Sequence, residues 1–155
     1  MGVIVDPQRT DIDVTRAAKV DAELVDAFKR LMPQFSSSGA VPTAEMLDEV
    51  VRSPCTTVLV ARDPARDNQI VGTLTLVVFR LASGVRAWIE DVVVDATSRG
   101  RGAGESLTRE AMRRAADRGA RTVELTSRPS REAANRLYRR LGFVQRDTNI
   151  YRYGG

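Results

Sequence analysis

The run Val92-Val93-Val94-Asp95-Ala96-Thr97-Ser98-Arg99-Gly100-Arg101-Gly102-Ala103-Gly104, continuing into Glu105 to Arg118, reads as strand, glycine-rich turn, helix. Such a turn leaves backbone N–H groups without partners at a helix N-terminus, where the macrodipole is positive. That geometry favours a phosphate or pyrophosphate, so the expected ligand is a nucleotide or a nucleotide-bearing cofactor.

Two common phosphate turns do not fit. A dinucleotide fingerprint G-x-G-x-x-G beginning at Gly100 and Gly102 would need glycine where Glu105 stands, at the point of close helix packing. A P-loop needs a lysine after its last glycine, and the chain's lysines, Lys19 and Lys29, lie far upstream. What remains is Arg99-x-x-Gly102-x-Gly104. This resembles the R/Q-x-x-G-x-G/A pattern of the GCN5-related N-acetyltransferase family, which wraps the pyrophosphate of acetyl coenzyme A. A second block, Asn135-Arg136-Leu137-Tyr138-Arg139-Arg140-Leu141-Gly142-Phe143, is similar to the family's later signature in a compacted form, at the expected distance and in the expected order.

Composition bounds the reading. At 155 residues and 43% hydrophobic, the chain is long enough for one domain with a substantial core and too short for two ordinary ones. A single domain over residues 1–155 is expected. No apolar stretch reaches the ~20 residues of a membrane span, and Met1 to Asp6 lacks the features of a signal peptide, so no membrane association and a cytoplasmic location are expected. Cys55 is the only cysteine, which excludes an internal disulfide, and beside Pro54 it reads as a buried or half-buried residue. The chain contains no histidine. Ser-His-Asp and Cys-His catalysis are therefore excluded, and no metal site is expected.

The net charge is +4, but the basic residues are interspersed with Asp and Glu along helices, and aromatic residues make up only 5%. That pattern describes solvated helix faces, with no stacking cluster for nucleic acid. Arginines near a cleft would draw in anionic ligands.

Along the chain, Thr10 to Arg16 alternates as a short strand. Asp21 caps a helix bearing Leu24, Val25, Phe28, Leu31 and Met32, which Pro33 is expected to stop. Gln34 to Pro42 reads as a mobile loop. Thr43 caps a short helix with Met46, Leu47, Val50 and Val51. Strands are expected at Thr56 to Ala61, Ile70 to Arg80 and Val85 to Val94, separated by turns at Asp63-Pro64 to Asn68 and Ser83-Gly84. After the Gly104 helix, whose Leu107, Ala111 and Ala115 share a face and which Gly119 ends, Thr122 to Thr126 must return parallel to the Val85–Val94 strand. A helix with Ala134, Leu137, Tyr138 and Leu141 on one face ends at Gly142, and Phe143 to Arg146 with Asn149 to Tyr153 reads as a final hairpin.

This order is the family's. The resemblance implies an α/β fold with a mixed, mostly antiparallel central sheet flanked by helices and splayed between strands 4 and 5, where the cofactor enters between Val92–Val94 and Leu125–Thr126. It implies an acetyl-CoA-dependent N-acetyltransferase. The cofactor contacts it implies are Val92, Val93 and Val94 through their main chain, the turn Arg99, Gly100, Arg101, Gly102, Ala103 and Gly104, and Asn135 and Tyr138 on the later helix.

Amide formation needs a neutral amine and a proton for the departing thiolate. Tyr138 is the candidate acid, since a phenol's pKa of ~10 lies close to a thiol's ~8.5. Glu90 is the candidate base, by strand parity with Val92 and Val94 unless a β-bulge intervenes; Asp91 is the reserve, because a bulge would exchange their faces. Ile89-Glu90-Asp91 and the Tyr151-Arg152-Tyr153 ending resemble the glucosamine-phosphate acetyltransferases of the family, which makes a small-molecule amine such as an amino sugar the expected acceptor. By the family's habit, Phe35, Ser36 to Ser38, Arg128 and Asn149 to Tyr153 would shape its pocket. A protein N-terminus or lysine, or a module that binds acyl-CoA without turnover, are the alternatives. Dimerisation is common in the family, so a homodimer is an expectation that no single residue carries.

Overall fold

The computed structural model describes residues 12–36 and 39–154. Its elements run β1 (Asp13–Arg16), α1 (Ala22–Phe35), α2 (Ala44–Arg52), β2 (Thr56–Asp63), β3 (Gln69–Leu81), β4 (Gly84–Val94), α3 (Ala103–Asp117), β5 (Val123–Glu124) and α4 (Glu132–Arg140), with 3-10 turns at Pro64–Arg66 and Ala96–Ser98. The sheet order is β1-β2-β3-β4-β5. The first four strands pair antiparallel and β5 joins β4 in parallel, the mostly antiparallel α/β sheet that the sequence led us to expect.

Alternation sorts the strands onto two faces. Leu59, Ala61, Leu74, Leu76, Ala87 and Ile89 meet Leu107, Ala111 and Ala115 of α3 on one face. Val58, Val60, Ile70 and Val93 meet Leu24, Phe28, Leu31 and Leu47 of α1 and α2 on the other. The helix starts are fixed by the expected caps: Asp21 Oδ1 accepts from Leu24 N at 2.9 Å and Thr43 Oγ1 from Met46 N at 3.2 Å.

Several expectations need correction. Helix α1 runs through Pro33 to Phe35, because a proline near a helix end loses a single backbone bond, and the last turn is closed by Ser36 N to Met32 O at 3.3 Å. Cys55 is exposed in the turn between α2 and β2. Strand β5 has two residues where five were expected. The final hairpin is absent: residues 143–154 carry no helix or strand, and Tyr151 and Tyr153 stand almost entirely in solvent. Thr10 and Asp11 of the first strand, and Ser37 and Ser38 of the expected loop, lie outside the described residues.

The bulge that the parity reading left open is present. Thr73 faces Val93 and Thr75 faces Glu90, so Leu74 opposes both Asp91 and Val92, with Asp91 at φ +49°. Glu90 therefore shares a face with Val93, toward α1 and α2, while Val92 and Val94 pack with the α3 core. The expectation that Glu90 faces with Val92 and Val94 is overturned by this one extra residue.

Leu107 is fully buried where α3 meets the sheet. Leu107→Ala should cost about 3 kcal/mol, read as a lower urea midpoint at unchanged slope; a loss under about 1 kcal/mol would show that α3 is not fixed by this contact.

Candidate functional site

Strands β4 and β5 separate almost as soon as they meet. Their register covers only Ala87 with Val123 and Trp88 with Glu124, supported by Ala87 N to Thr122 O at 2.9 Å. Past Trp88, β4 bulges and runs on to Val94 with no further pairing to β5, which ends at Glu124. The edge from Val92 to Val94 and the turn that follows lie along one continuous path.

The turn is held from behind by polar contacts. Asp95 N donates to Val71 O at 2.8 Å, and Asp95 Oδ1 accepts from Thr97 N at 3.0 Å and from the Thr97 hydroxyl at 2.9 Å. Arg66 Nη1 donates to the hydroxyls of Thr97 (2.7 Å) and Ser98 (2.8 Å), Ala96 N donates to Gln34 Oε1 at 2.8 Å, and Arg30 faces Asp95 at 3.4 Å. Burial pushes the Asp95 carboxyl up, but the two Thr97 donors, with Arg30 and Arg66, outweigh it and hold it below the usual carboxylate range. Arg101 does not point outward: its Nε lies 2.7 Å from Asp63 Oδ2 and its Nη2 donates to Oδ1 at 3.1 Å.

Gly102, at φ +87°, is the N-cap of α3 and supplies no capping side chain. A Cβ built on Gly100 or Gly102 would meet nothing within 4 Å. The start of α3 is thus an open cradle of backbone N–H groups with Arg99 exposed beside it, an arrangement that suits a pyrophosphate. The expected cofactor residues from Arg99 to Gly104 are brought together in this one turn.

Helix α4 stands on the α3 side, with Leu137 Cδ2 3.4 Å from the Cβ position of Gly104. Glu105 ties the two helices by accepting from Arg140 Nη2 at 2.9 Å; that bond and its pairing with Arg109 hold its carboxyl low. Tyr138 is 7% exposed. It is fixed by the helix end: Gly142 N donates to Arg139 O and Phe143 N to Tyr138 O, both at 3.0 Å, and the Phe143 ring packs edge-on against Tyr138 at 5.8 Å. Burial pushes its phenol up, with Arg131 pulling partly the other way, so it keeps its proton at neutral pH. Asn135 Nδ2 donates to Arg128 O at 3.0 Å, closing the loop that enters α4. Burial, then the neighbouring Asp91 charge, raises the Glu90 carboxyl above its ordinary range.

The sequence reading missed three contributors. Asp63 looked like turn chemistry, and its partner lies 38 residues away. Glu105, noted only where it breaks a fingerprint, links α3 to α4. Ser127, which follows the expected strand Thr122 to Thr126, has its Oγ buried with no hydrogen-bond partner among the described residues. Of the expected acceptor-pocket residues, Phe35 is 41% exposed at the end of α1, while Asn149 to Tyr153 stand in solvent.

Comparison with known proteins bears on the family and the fold. The family model "Acetyltransferase (GNAT) family" matches residues 23–143. The chain is 36% identical over 100 residues to a probable glucosamine 6-phosphate N-acetyltransferase 2 of Oryza sativa subsp. japonica, a match covering 62% of this chain and 58% of that protein's length. An aminoglycoside acetyltransferase, meta-AAC0020, from an uncultured soil metagenomic sample, in complex with trehalose, superposes with a TM-score of 0.79 at 22% identity, over 93% of this chain and 95% of that one. AAC(6')-Iy in complex with the bisubstrate analog CoA-S-monomethyl-acetylneamine gives 0.73 at 16% identity, over 93% and 98%. At such identities the structures speak for the fold alone.

Gly102→Val would fill the open side of the turn and strain a positive φ. Affinity for coenzyme A, used as the pyrophosphate-bearing probe in calorimetry, should fall by at least about tenfold, near 1.4 kcal/mol; wild-type affinity in the folded variant would place the cofactor elsewhere.

Proposed function

The chain belongs to the acetyltransferase (GNAT) family, and from that premise we propose that it transfers an acetyl group from acetyl coenzyme A to a small primary amine by direct attack in a ternary complex. The observation that carries this reading is the uncapped N-terminus of α3, set at the mouth of the β4–β5 cleft with open space outside Gly100 and Gly102. We take the acceptor to be of the amino-sugar class; the name of the rice relative supports this. The unit is taken to act as a single domain over residues 1–155 in the cytoplasm. No helix among the described residues is long and apolar enough to cross a membrane.

Bound acetyl coenzyme A supplies an activated thioester. The residues Arg99 to Gly104 hold its pyrophosphate through backbone N–H groups, and the free edge of β4 at Val92 and Val94 binds its arm as an added strand would, with Val93 rooted in the opposite core. Asn135 orders the wall by closing the loop at Arg128. Glu90 takes a proton from the acceptor's ammonium, which frees the nitrogen lone pair for attack on the acetyl carbon. As the new N–C bond forms and the C–S bond breaks, the Tyr138 hydroxyl gives its proton to the sulfur, and the second proton lost by the acylated nitrogen restores the phenol. The bulge removes the strand-parity ground for Glu90 and brings in Asp91 as the alternative base; Glu90 is kept in the role for its raised carboxyl.

Kinetics test the assignment. Glu90→Gln should lower kcat by about a hundredfold and remove the rising limb of kcat/KM against pH. That limb should lie above the ordinary carboxylate range of ~4.3, because the Glu90 carboxyl is raised and must lose its proton to act. Tyr138→Phe should lower kcat by a similar factor with acetyl coenzyme A affinity within about twofold of wild type. An unchanged pH limb in the first variant, or unchanged turnover in the second, removes that residue from its role.

The homodimer that is common in the family is proposed to form through the C-terminal segment. Ile150, Tyr151 and Tyr153 carry a large exposed apolar surface among the described residues. Sedimentation velocity should give a dimer, and Ile150→Ser with Tyr151→Ser and Tyr153→Ser a monomer; a monomeric unmodified chain contradicts the proposal.

A further inference from the structure

We propose that Asp63 is a positioning residue for the cofactor turn and that it acts through Arg101. The proposal rests on the acetyl coenzyme A reading above and adds to it a residue from a different strand.

Asp63 ends β2 and is fully buried. A buried carboxylate loses several kcal/mol of hydration and persists only where it is well ligated. Here Oδ1 accepts from Ala65 N at 2.9 Å and from Arg101 Nη2 at 3.1 Å, while Oδ2 faces Arg101 Nε at 2.7 Å. The guanidinium meets the carboxylate with two nitrogens, through one hydrogen bond from Nη2 and one close ion-pair contact at Nε.

The place of Arg101 in the turn gives the contact its consequence. It stands between Gly100 and Gly102, at φ +78° and +87°, the two residues there with the widest backbone freedom. Each φ value is held only if the peptide between them is held. Arg101 does this by reaching inward to a carboxylate on the rigid end of the sheet, leaving the outer side of the turn to backbone N–H groups. Asp95, Arg66 and Gln34 fix the beginning of the same turn, at Ala96 to Ser98. Among the described contacts, Asp63 is what ties its second half to β2. Arg101 thus orders the cradle instead of contacting the phosphates, and Asp63 sets that choice.

Asp63→Asn separates this role from direct contact. It keeps the size of the side chain and releases the guanidinium, which would strengthen cofactor binding if Arg101 were a phosphate ligand. Wild type, Asp63→Asn, Arg101→Gln and the double variant are compared by calorimetry with coenzyme A, by steady-state kinetics, and by amide hydrogen exchange without ligand. The expected result is an affinity loss of about tenfold in each variant, with the double variant no worse than either single one. The KM for acetyl coenzyme A should rise while kcat at saturation stays within about twofold. Exchange should quicken across residues 96–104 and remain at wild-type rates in the core strands. Should Arg101→Gln fail to fold, because it strands a buried charge, the charge-neutral double variant takes its place. Asp63→Asn with wild-type or tighter affinity, or with wild-type exchange in the turn, overturns the proposal. Failure of the wild type to bind coenzyme A contradicts the acetyl coenzyme A reading instead, and the ligand-free exchange still decides the role of Asp63.

Discussion

One extra residue in β4 governs the geometry of everything around it. At Asp91 the strand takes a left-handed step, so that two of its residues oppose Leu74. A bulge bends and twists its strand, and β4 parts from β5 after only two paired positions. The same step assigns the side chains: Ile89 and Val92 go to the α3 core and Val93 to the α1–α2 core, with the exposed Glu90 on the same face as Val93. The strand is thereby anchored on both faces by apolar packing while its edge is left open to a cleft. A regular strand would have put Glu90 on one face with Val92 and Val94 and had no local reason to part from β5.

The two walls of the cleft are built by different physics. The sheet and α3 are held by fully buried aliphatic side chains, each worth roughly 1.5–3 kcal/mol. The turn from Asp95 to Gly104 cannot be held that way, because it must present backbone N–H groups to an anion. It is tied down by charged and polar side chains reaching from α1, β2 and the Pro64–Arg66 turn. Preorganisation of this kind removes an ordering cost from binding, which otherwise falls on each ligand contact. The α4 wall depends on a helix end, where Gly142 and Phe143 close the chain on Tyr138 and Glu105 carries that position back to α3.

Local chemistry was legible in the sequence wherever one residue sets one conformation. Asp21 and Thr43 cap their helices as read, and the spacing of Leu107, Ala111 and Ala115 marks the face that α3 buries. The Arg99 to Gly104 motif marks the turn. What was not legible depends on distant partners. Nothing near Asp91 announces a bulge, since the alternation from Ile89 to Val94 reads equally well without one. Asn149 to Tyr153 alternates like a strand, but a strand needs a neighbour, and none of the described residues pairs with it. Pro33 looked like a stop because its tolerance depends on how few turns remain. Asp63 carried the signature of a turn and gave no sign of Arg101, since contacts across 38 residues leave no local pattern.

The cleft and the turn are explained most economically as a cradle for one ligand. The most direct measurement is a calorimetric titration of the purified protein with acetyl coenzyme A, with NAD and ATP as controls. Selective binding of one acetyl coenzyme A per chain, in the micromolar range or tighter, is the predicted result. Absence of acetyl coenzyme A binding, or equal binding of all three nucleotides, would contradict it.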